Sequence, residues 1–293
     1  NEADRAKDKG LERTKWENAF ELHAPQYELK SDISREIIEF VGKHMQETFE
    51  FFVKEIPVSA PPVDRCAPLP VRVFREEDTF RKLTGQPNAT GVYTFRDIVI
   101  FQKKPEDPWS RDLLLLTLDH ESCHYYLHIA LGENMPRWVD EGLSTYFAIS
   151  RMTNAAYKKE YTEEQLVPVR DALEKKGRFY GIEEVFDFTQ DGYGLGTGET
   201  EDEKRLDRRM HYGESVLLCG FLFSESLAEK SAYGSILKKV LKALADGKKG
   251  REAGASGFEG VDLAKFEADW KAYIRNVATE DVTAPKKAKP GKK

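Results

Sequence analysis

Two histidines and a glutamate follow an apolar run with a spacing that suits a metal site. The segment reads His120-Glu121-Ser122-Cys123-His124, which fits the pattern H-E-x-x-H. Residues four apart lie one turn apart on the same face of an α-helix, so both imidazoles can reach one Zn²⁺ at about 2.0–2.1 Å. Glu121 lies beside that face, where a carboxylate can accept a proton from a zinc-bound water. The pattern therefore predicts a hydrolytic zinc site with Glu121 as the general base.

The third metal ligand must come from elsewhere, because a catalytic zinc needs three protein ligands and an open position for water. The segment M-P-R-W-V-D-E-G-L-S follows a turn at Gly132 and offers two carboxylates, Asp140 and Glu141. Neighbouring residues point about 100° apart on a helix, so only one of the two can face the metal. The residues alone leave that choice open.

His128 and Cys123 lie near the motif but are poorly placed for the same ion. One helix rises 1.5 Å per residue, so His120 and His128 would lie about 12 Å apart. Cys123 lies about 300° around the helix from His120 and about 100° from His124. We expect a structural or supporting role for His128 and a packing role for Cys123, as for the other two cysteines, Cys66 and Cys219.

The elements that position these residues follow from the hydrophobic pattern. A helix is predicted from about residue 112 to residue 131, ending at Gly132, and a second over V-D-E-G-L-S-T-Y-F-A-I-S-R-M. Strand patterns occupy roughly the first 105 residues and helical patterns the rest, which indicates an α+β fold. Other expectations are a helical region over 155–176 interrupted near Pro168, a polar loop over 191–207 and a flexible linker at G-K-K-G-R-E-A-G-A-S-G.

Length and composition define the expected organisation and exclude some classes of protein. The chain has 293 residues, of which 40% are hydrophobic, enough for a substantial core. We expect a tail over 1–13, an α/β part with a sheet over 14–111, a helical part over 112–277 and a basic low-complexity tail over 278–293. A net charge of −6 without a basic face argues against nucleic-acid binding. No apolar run reaches the ~18 residues of a membrane span, and nothing in the sequence predicts the oligomeric state.

The two motifs together resemble the glutamate-zincins (gluzincins) of the peptidase MA-like superfamily. The likeness rests on H-E-x-x-H followed by W-x-x-E-G-L-S, and it extends more weakly to small bacterial gluzincin-like proteins of largely unknown function. It implies a zincin-like fold and zinc-dependent hydrolysis of peptide bonds in a peptide or protein substrate. It also implies that Glu141 is the third ligand, flanked by Trp138, Gly142, Leu143 and Ser144. Together with a first residue other than Met, the resemblance suggests a secreted or periplasmic bacterial protein.

The resemblance also bears on residues outside the two motifs. In gluzincin-like proteins a later helix often supplies a donor to the oxyanion, which the Y-x-x-S match places at Tyr212, with His211 as the alternative. Thr145 stands where thermolysin-like relatives have an aspartate that orients a zinc histidine. The segment R-D-I-V-I-F-Q is either the edge strand that binds substrate or an ordinary core strand. The alternative function is a zincin-fold protein that binds peptides or glycans with little or no turnover.

Overall fold

A computed structural model of the chain describes residues 15–56, 58, 68–87, 89–102, 108–175, 177–228 and 231–283. The predicted tail over 1–13 and Cys66 lie outside the described residues, as do residues 284–293 of the second predicted tail. The first part of that second tail is described. There, Thr279–Asp281 form a 3-10 helix, and Val282 after it is buried.

Contacts within the chain divide it into two compact units. The sheet unit contains residues 1–52 and 62–125, and the helical unit contains residues 53–61 and 126–293. All strands of the described residues precede residue 102, and helices make up most of the remainder. The predicted α+β class is thereby confirmed, whereas the predicted domain limits stay a prediction.

The sheet unit contains a mixed five-stranded sheet with the strand order β1-β2-β3-β5-β4. The β2–β3 and β3–β5 pairs are parallel, and the β1–β2 and β4–β5 pairs are antiparallel. The strands are β1 (Phe20–His23), β2 (Tyr27–Ser31), β3 (Leu69–Phe74), β4 (Gly91–Tyr93) and β5 (Ile98–Phe101). β5 is paired on both sides and fully buried, so of the two alternatives for R-D-I-V-I-F-Q the ordinary core strand is correct. The edge strand on that side of the sheet is β4.

The sheet unit also contains α1 (Arg35–Glu55) and α2 (Glu77–Thr84), and α3 (Pro108–Leu131) begins in it. The apolar residues spaced along one face of α1 include Ile38, Val41, Met45, Phe49 and Phe52, which are all buried. Gly85 after α2 and Gly132 after α3 adopt positive φ angles of 67° and 85°. Glycine accepts this left-handed conformation at little cost, which explains why both helices end there.

The helical unit is built around α8 (Glu201–Ser226), which packs against both α4 (Arg137–Arg151) and α5 (Ala155–Glu174). A Cβ atom at Gly213 of α8 would lie 2.5 Å from the carbonyl oxygen of Gln165, so glycine is needed where α8 meets α5. The remaining helices are α6 (Ile182–Phe186), α7 (Gln190–Gly194), α9 (Ile236–Ala245), α10 (Gly250–Ser256) and α11 (Leu263–Asn276).

Helix α5 continues through Pro168, so the predicted interruption was wrong. Proline has no N–H to donate to the carbonyl four residues earlier. That carbonyl belongs to Glu164 and accepts a hydrogen bond from Arg209 Nη2 at 3.2 Å. Arg209, on α8, therefore supplies the donor that Pro168 lacks.

Two predicted irregular segments are also partly helical. The polar loop expected over 191–207 contains most of α7 and the start of α8. Helix α8 begins with a capping box, in which the N–H of Glu203 donates to Thr200 Oγ1 at 3.2 Å and the N–H of Thr200 donates to Glu203 Oε2 at 2.9 Å. The expected flexible linker contains α10, where a Cβ at Gly254 would lie 3.0 Å from Trp138 Nε1. Gly254 therefore serves close packing rather than flexibility.

The helices of the described residues differ from the long, predominantly apolar helices that span bilayers. None of them combines the length and the apolar character needed to cross a bilayer.

Candidate metal centre

The two histidines of H-E-x-x-H lie on α3 with their rings almost perpendicular. Nε2 of His120 and Nε2 of His124 are 3.0 Å apart, and the ring planes meet at 85°. Two nitrogen ligands of one tetrahedral zinc, each about 2.05 Å from the ion, would lie about 3.3 Å apart. The observed separation is close to that value, so the pair needs little movement to share an ion.

Glu121, the candidate base, is buried and held by the edge strand of the sheet. Its Oε2 accepts the backbone N–H of Tyr93 on β4 at 2.7 Å. Gly91 makes this close approach possible, because a Cβ there would lie 2.4 Å from Thr117 Cγ2 and 3.4 Å from Glu121 Cγ. The glycine of the G-V-Y segment thus lets β4 lie against the face of α3 that carries the base.

The aspartate before the motif is bound by α1. Asp119 Oδ1 lies 2.7 Å from His44 Nε2 and accepts a hydrogen bond from Thr48 Oγ1 at 2.7 Å. All three side chains belong to the sheet unit. Asp119 therefore anchors α3 to α1.

On α4, both candidate carboxylates are contacted by one arginine. Arg137 donates from Nη1 to Asp140 Oδ2 at 2.8 Å and from Nη2 to Glu141 Oε1 at 2.6 Å. Asp140 Oδ2 also lies 3.5 Å from His128 Nε2, and both of these side chains are buried. The structural role expected for His128 is seen in this pair.

One ligand atom from each of His120, His124 and Glu141 lies within 4.8 Å of the other two. No other group of three such side chains comes this close within the described ranges. The set consists of two imidazole nitrogens and one carboxylate oxygen, which is the donor set of many catalytic zinc sites. The chemistry of these residues therefore fits a zinc ion.

Gly142, the residue after Glu141, has a packing role in the helical unit. A Cβ at Gly142 would lie 2.7 Å from the carbonyl oxygen of Ser215 and 2.8 Å from Cys219 Sγ, both on α8. Cys219 is fully buried and lies 3.9 Å from the Trp138 carbonyl, and burial raises the pKa of its thiol. Cys123, in the sheet unit, is also fully buried, as expected for a packing residue.

His211, one of the two predicted oxyanion donors, is enclosed inside the helical unit. Its ring centroid lies 4.1 Å from that of Phe188 and 4.9 Å from that of Tyr180, and its Nδ1 lies 2.9 Å from the Asp207 carbonyl oxygen. A Cβ at Gly192 would lie 2.4 Å from Nε2, so the other ring nitrogen is covered by backbone. Burial lowers the pKa of His211, which favours the neutral ring.

Tyr212, the other predicted donor, is only half-buried, and its ring lies 5.0 Å from that of Tyr193. The sequence reasoning missed Tyr193 because its segment was expected to be a loop. Its hydroxyl lies 2.5 Å from Ser215 Oγ, and the guanidinium of Arg137 lies 5.9 Å from its ring centroid. Burial, with a smaller contribution from the Glu141 carboxylate, raises the pKa of Tyr193 well above its usual range. Tyr193 and Arg137 thus belong to the surroundings of Glu141.

Neither family models nor curated proteins give a relative for this chain. No protein-family model matches it, and no curated protein matches it. The likeness to gluzincins therefore stays an expectation from the two sequence motifs.

Proposed function

We propose that this protein is a zinc-dependent hydrolase of peptide bonds, with a zincin-like fold and a site of the gluzincin type. His120, His124 and Glu141 would hold the ion. The observation that carries the proposal is that one ligand atom from each of these residues lies within 4.8 Å of the others. The base expected by the H-E-x-x-H pattern, Glu121, is next to His120 in the sequence.

A bound zinc would polarise the substrate carbonyl and lower the pKa of water toward neutrality. Glu121 takes a proton from the attacking water and passes it to the leaving amine, which returns the carboxylate to its starting state. The hydrogen bond from the Tyr93 N–H fixes the position of this carboxylate, so the proton transfers need little rearrangement.

We assign the oxyanion donor to Tyr212 rather than to His211. Both ring nitrogens of His211 are covered within the helical unit, one by the Asp207 carbonyl and the other by Gly192. Tyr212 is half-buried, and a tyrosine phenol can donate one hydrogen bond. His211 is then part of the packing that positions this region of α8.

The proposal is tested by zinc analysis and by turnover of a diverse peptide library. We expect about one zinc per chain, as in catalytic sites with three protein ligands. Glu121→Gln should keep the zinc and lower kcat by about 10²–10⁴-fold, the usual contribution of a general base. Glu133→Gln, the same change at an exposed position shortly after α3, should leave both zinc content and kcat unchanged.

Three results would count against the proposal. A protein that takes up no zinc would exclude the metal site. Full turnover by Glu121→Gln would exclude the assigned base. A zinc-loaded wild type that binds peptides but cleaves none of the library would favour the alternative of a peptide-binding protein.

A further inference from the structure

The helical unit contains a cavity of ≈ 800 Å³ that none of the candidate metal ligands lines. Small-molecule sites in proteins have volumes of about 300–1,000 Å³. The walls come from the second half of α5, the segment 177–180, the loop before α8 and the N-terminal half of α8. Every lining residue belongs to the helical unit.

The loop wall of this cavity is held in place by α8. The backbone N–H and the Oγ1 of Thr197 donate to Asp207 Oδ2 at 2.7 Å and 2.9 Å. Gly198 lies so close to α8 that a Cβ there would be 2.6 Å from Glu203 Cβ. The cavity is therefore formed before any ligand arrives, which reduces the entropic cost of binding.

The wall formed by α5 and α8 is largely apolar and remains open to solvent. Leu206 is 52% exposed and Val167 is 47% exposed, which is unusual for large apolar side chains in this chain. Pro168, Ala172 and Met210 extend the same wall. A ligand with an apolar body would remove this surface from water, which is the main source of binding free energy in such sites.

Charged side chains also line the cavity, beside its apolar wall. The three lining acids accept hydrogen bonds from the protein: Asp171 from Lys175, Glu203 from the α8 capping box, and Asp207 from Thr197 and Tyr180. By contrast, Arg178 stacks over the ring of Tyr180, with its guanidinium carbon 4.4 Å from the ring centroid. No carboxylate among the described residues lies within 4.0 Å of that guanidinium. Arg178 therefore has donors to offer to an anion.

We propose that this cavity binds a small amphipathic carboxylate, with its apolar chain over Leu206 and Val167 and its carboxylate at Arg178. Guanidinium pairs with carboxylate through two parallel hydrogen bonds, and its stacking on Tyr180 orients it in advance. The site is separate from the proposed hydrolytic chemistry and does not depend on it.

Isothermal titration calorimetry of the full chain with octanoate tests this proposal. We expect saturable binding at one site, with 1-octanol and octylamine binding at least about tenfold more weakly, because hydrogen bonds to charged groups contribute about 1.5–3 kcal/mol. Arg178→Gln should weaken octanoate binding by about the same factor. Leu206→Ser should weaken octanoate and 1-octanol alike, because it removes contact with the shared chain.

Matched controls separate the cavity from the rest of the surface. Arg205→Gln and Leu227→Ser make the same changes at exposed positions that do not line the cavity, and both should bind octanoate as the wild type does. The proposal is overturned if the wild type fails to bind octanoate, or if octylamine binds as tightly. Binding that survives Arg178→Gln but is lost in His124→Ala would place octanoate at the candidate metal centre, and this would also overturn the proposal.

Discussion

Histidines on α3 and on α8 face different partners, although both helices are largely buried. On α3, His120 and His124 turn their Nε2 atoms toward each other at 3.0 Å. On α8, His211 has one ring nitrogen on a backbone carbonyl and the other against Gly192, and aromatic rings surround it. The comparison teaches that burial does not mark a metal ligand. The approach of two ring nitrogens to each other is the feature that favours the α3 pair as candidate ligands.

The largest expected effect that tests this comparison is on zinc content. His124→Ala removes one of the three proposed ligands, and zinc sites bind weakly with two. We expect the zinc content, measured by mass spectrometry after dialysis, to fall from about one per chain to near zero. His211→Ala should retain its zinc. Loss of zinc in both variants would remove the distinction between the two regions.

An effect of intermediate size is expected on the free energy of unfolding when a residue that touches His211 is enlarged. In Gly192→Ala the new Cβ would lie 2.4 Å from His211 Nε2. The imidazole cannot move aside because Phe188 and Tyr180 pack against it. We expect a loss of about 1–3 kcal/mol in the free energy of unfolding, as for other overpacked sites. Urea unfolding monitored by circular dichroism would measure it.

Gly194 provides the control for this change on the same short helix. A Cβ there meets nothing within 4 Å, so Gly194→Ala should be neutral or slightly stabilising. Equal losses in the two variants would show that the helix, and not the contact with His211, is sensitive to the substitution.

The smallest expected effect is on the pH dependence of stability. Burial lowers the pKa of His211 in the folded protein below the ordinary value of 6.5. The unfolded chain therefore binds a proton first as the pH falls, so this stabilisation is present above 6.5 and is lost below it. Between about pH 7 and pH 5, the urea midpoint should fall less for His211→Phe than for the wild type. The wild type and His211→Phe share all the other histidines. Equal changes of the urea midpoint with pH in the two proteins would therefore contradict the assigned environment of His211.

Much of the fold could be predicted because its signals are local. The apolar spacing along α1 and the glycines that end α2 and α3 are patterns within one element. The errors occurred where a distant residue decides the structure. Pro168 stays helical because Arg209 donates to the Glu164 carbonyl, and no local pattern reveals that contact. The start of α8 was different, because Thr200 and Glu203 form a recognisable capping box in the sequence.

The residues of the candidate site also divide into those with a local sequence signal and those without one. His120, Glu121 and His124 could be proposed from one helical turn, and Glu141 from a second motif. Arg137 lies one helical turn before Glu141, so their contact could also be proposed from spacing. Tyr193 could not, because its relation to Glu141 arises only when α7 packs beside α4 in the helical unit. His211 was proposed from its neighbour in sequence, and only the packing of Phe188 and Gly192 shows that its ring is enclosed.

The anchoring of Asp119 has a consequence for how the metal motif could be altered. His44 and Thr48 hold the residue immediately before His120, so they set the rotation of α3 about its own axis. The direction in which the H-E-x-x-H side chains point therefore depends on α1, a helix far upstream in the chain. Substitutions in α1 can therefore change the geometry of the H-E-x-x-H side chains without replacing any of the proposed metal ligands.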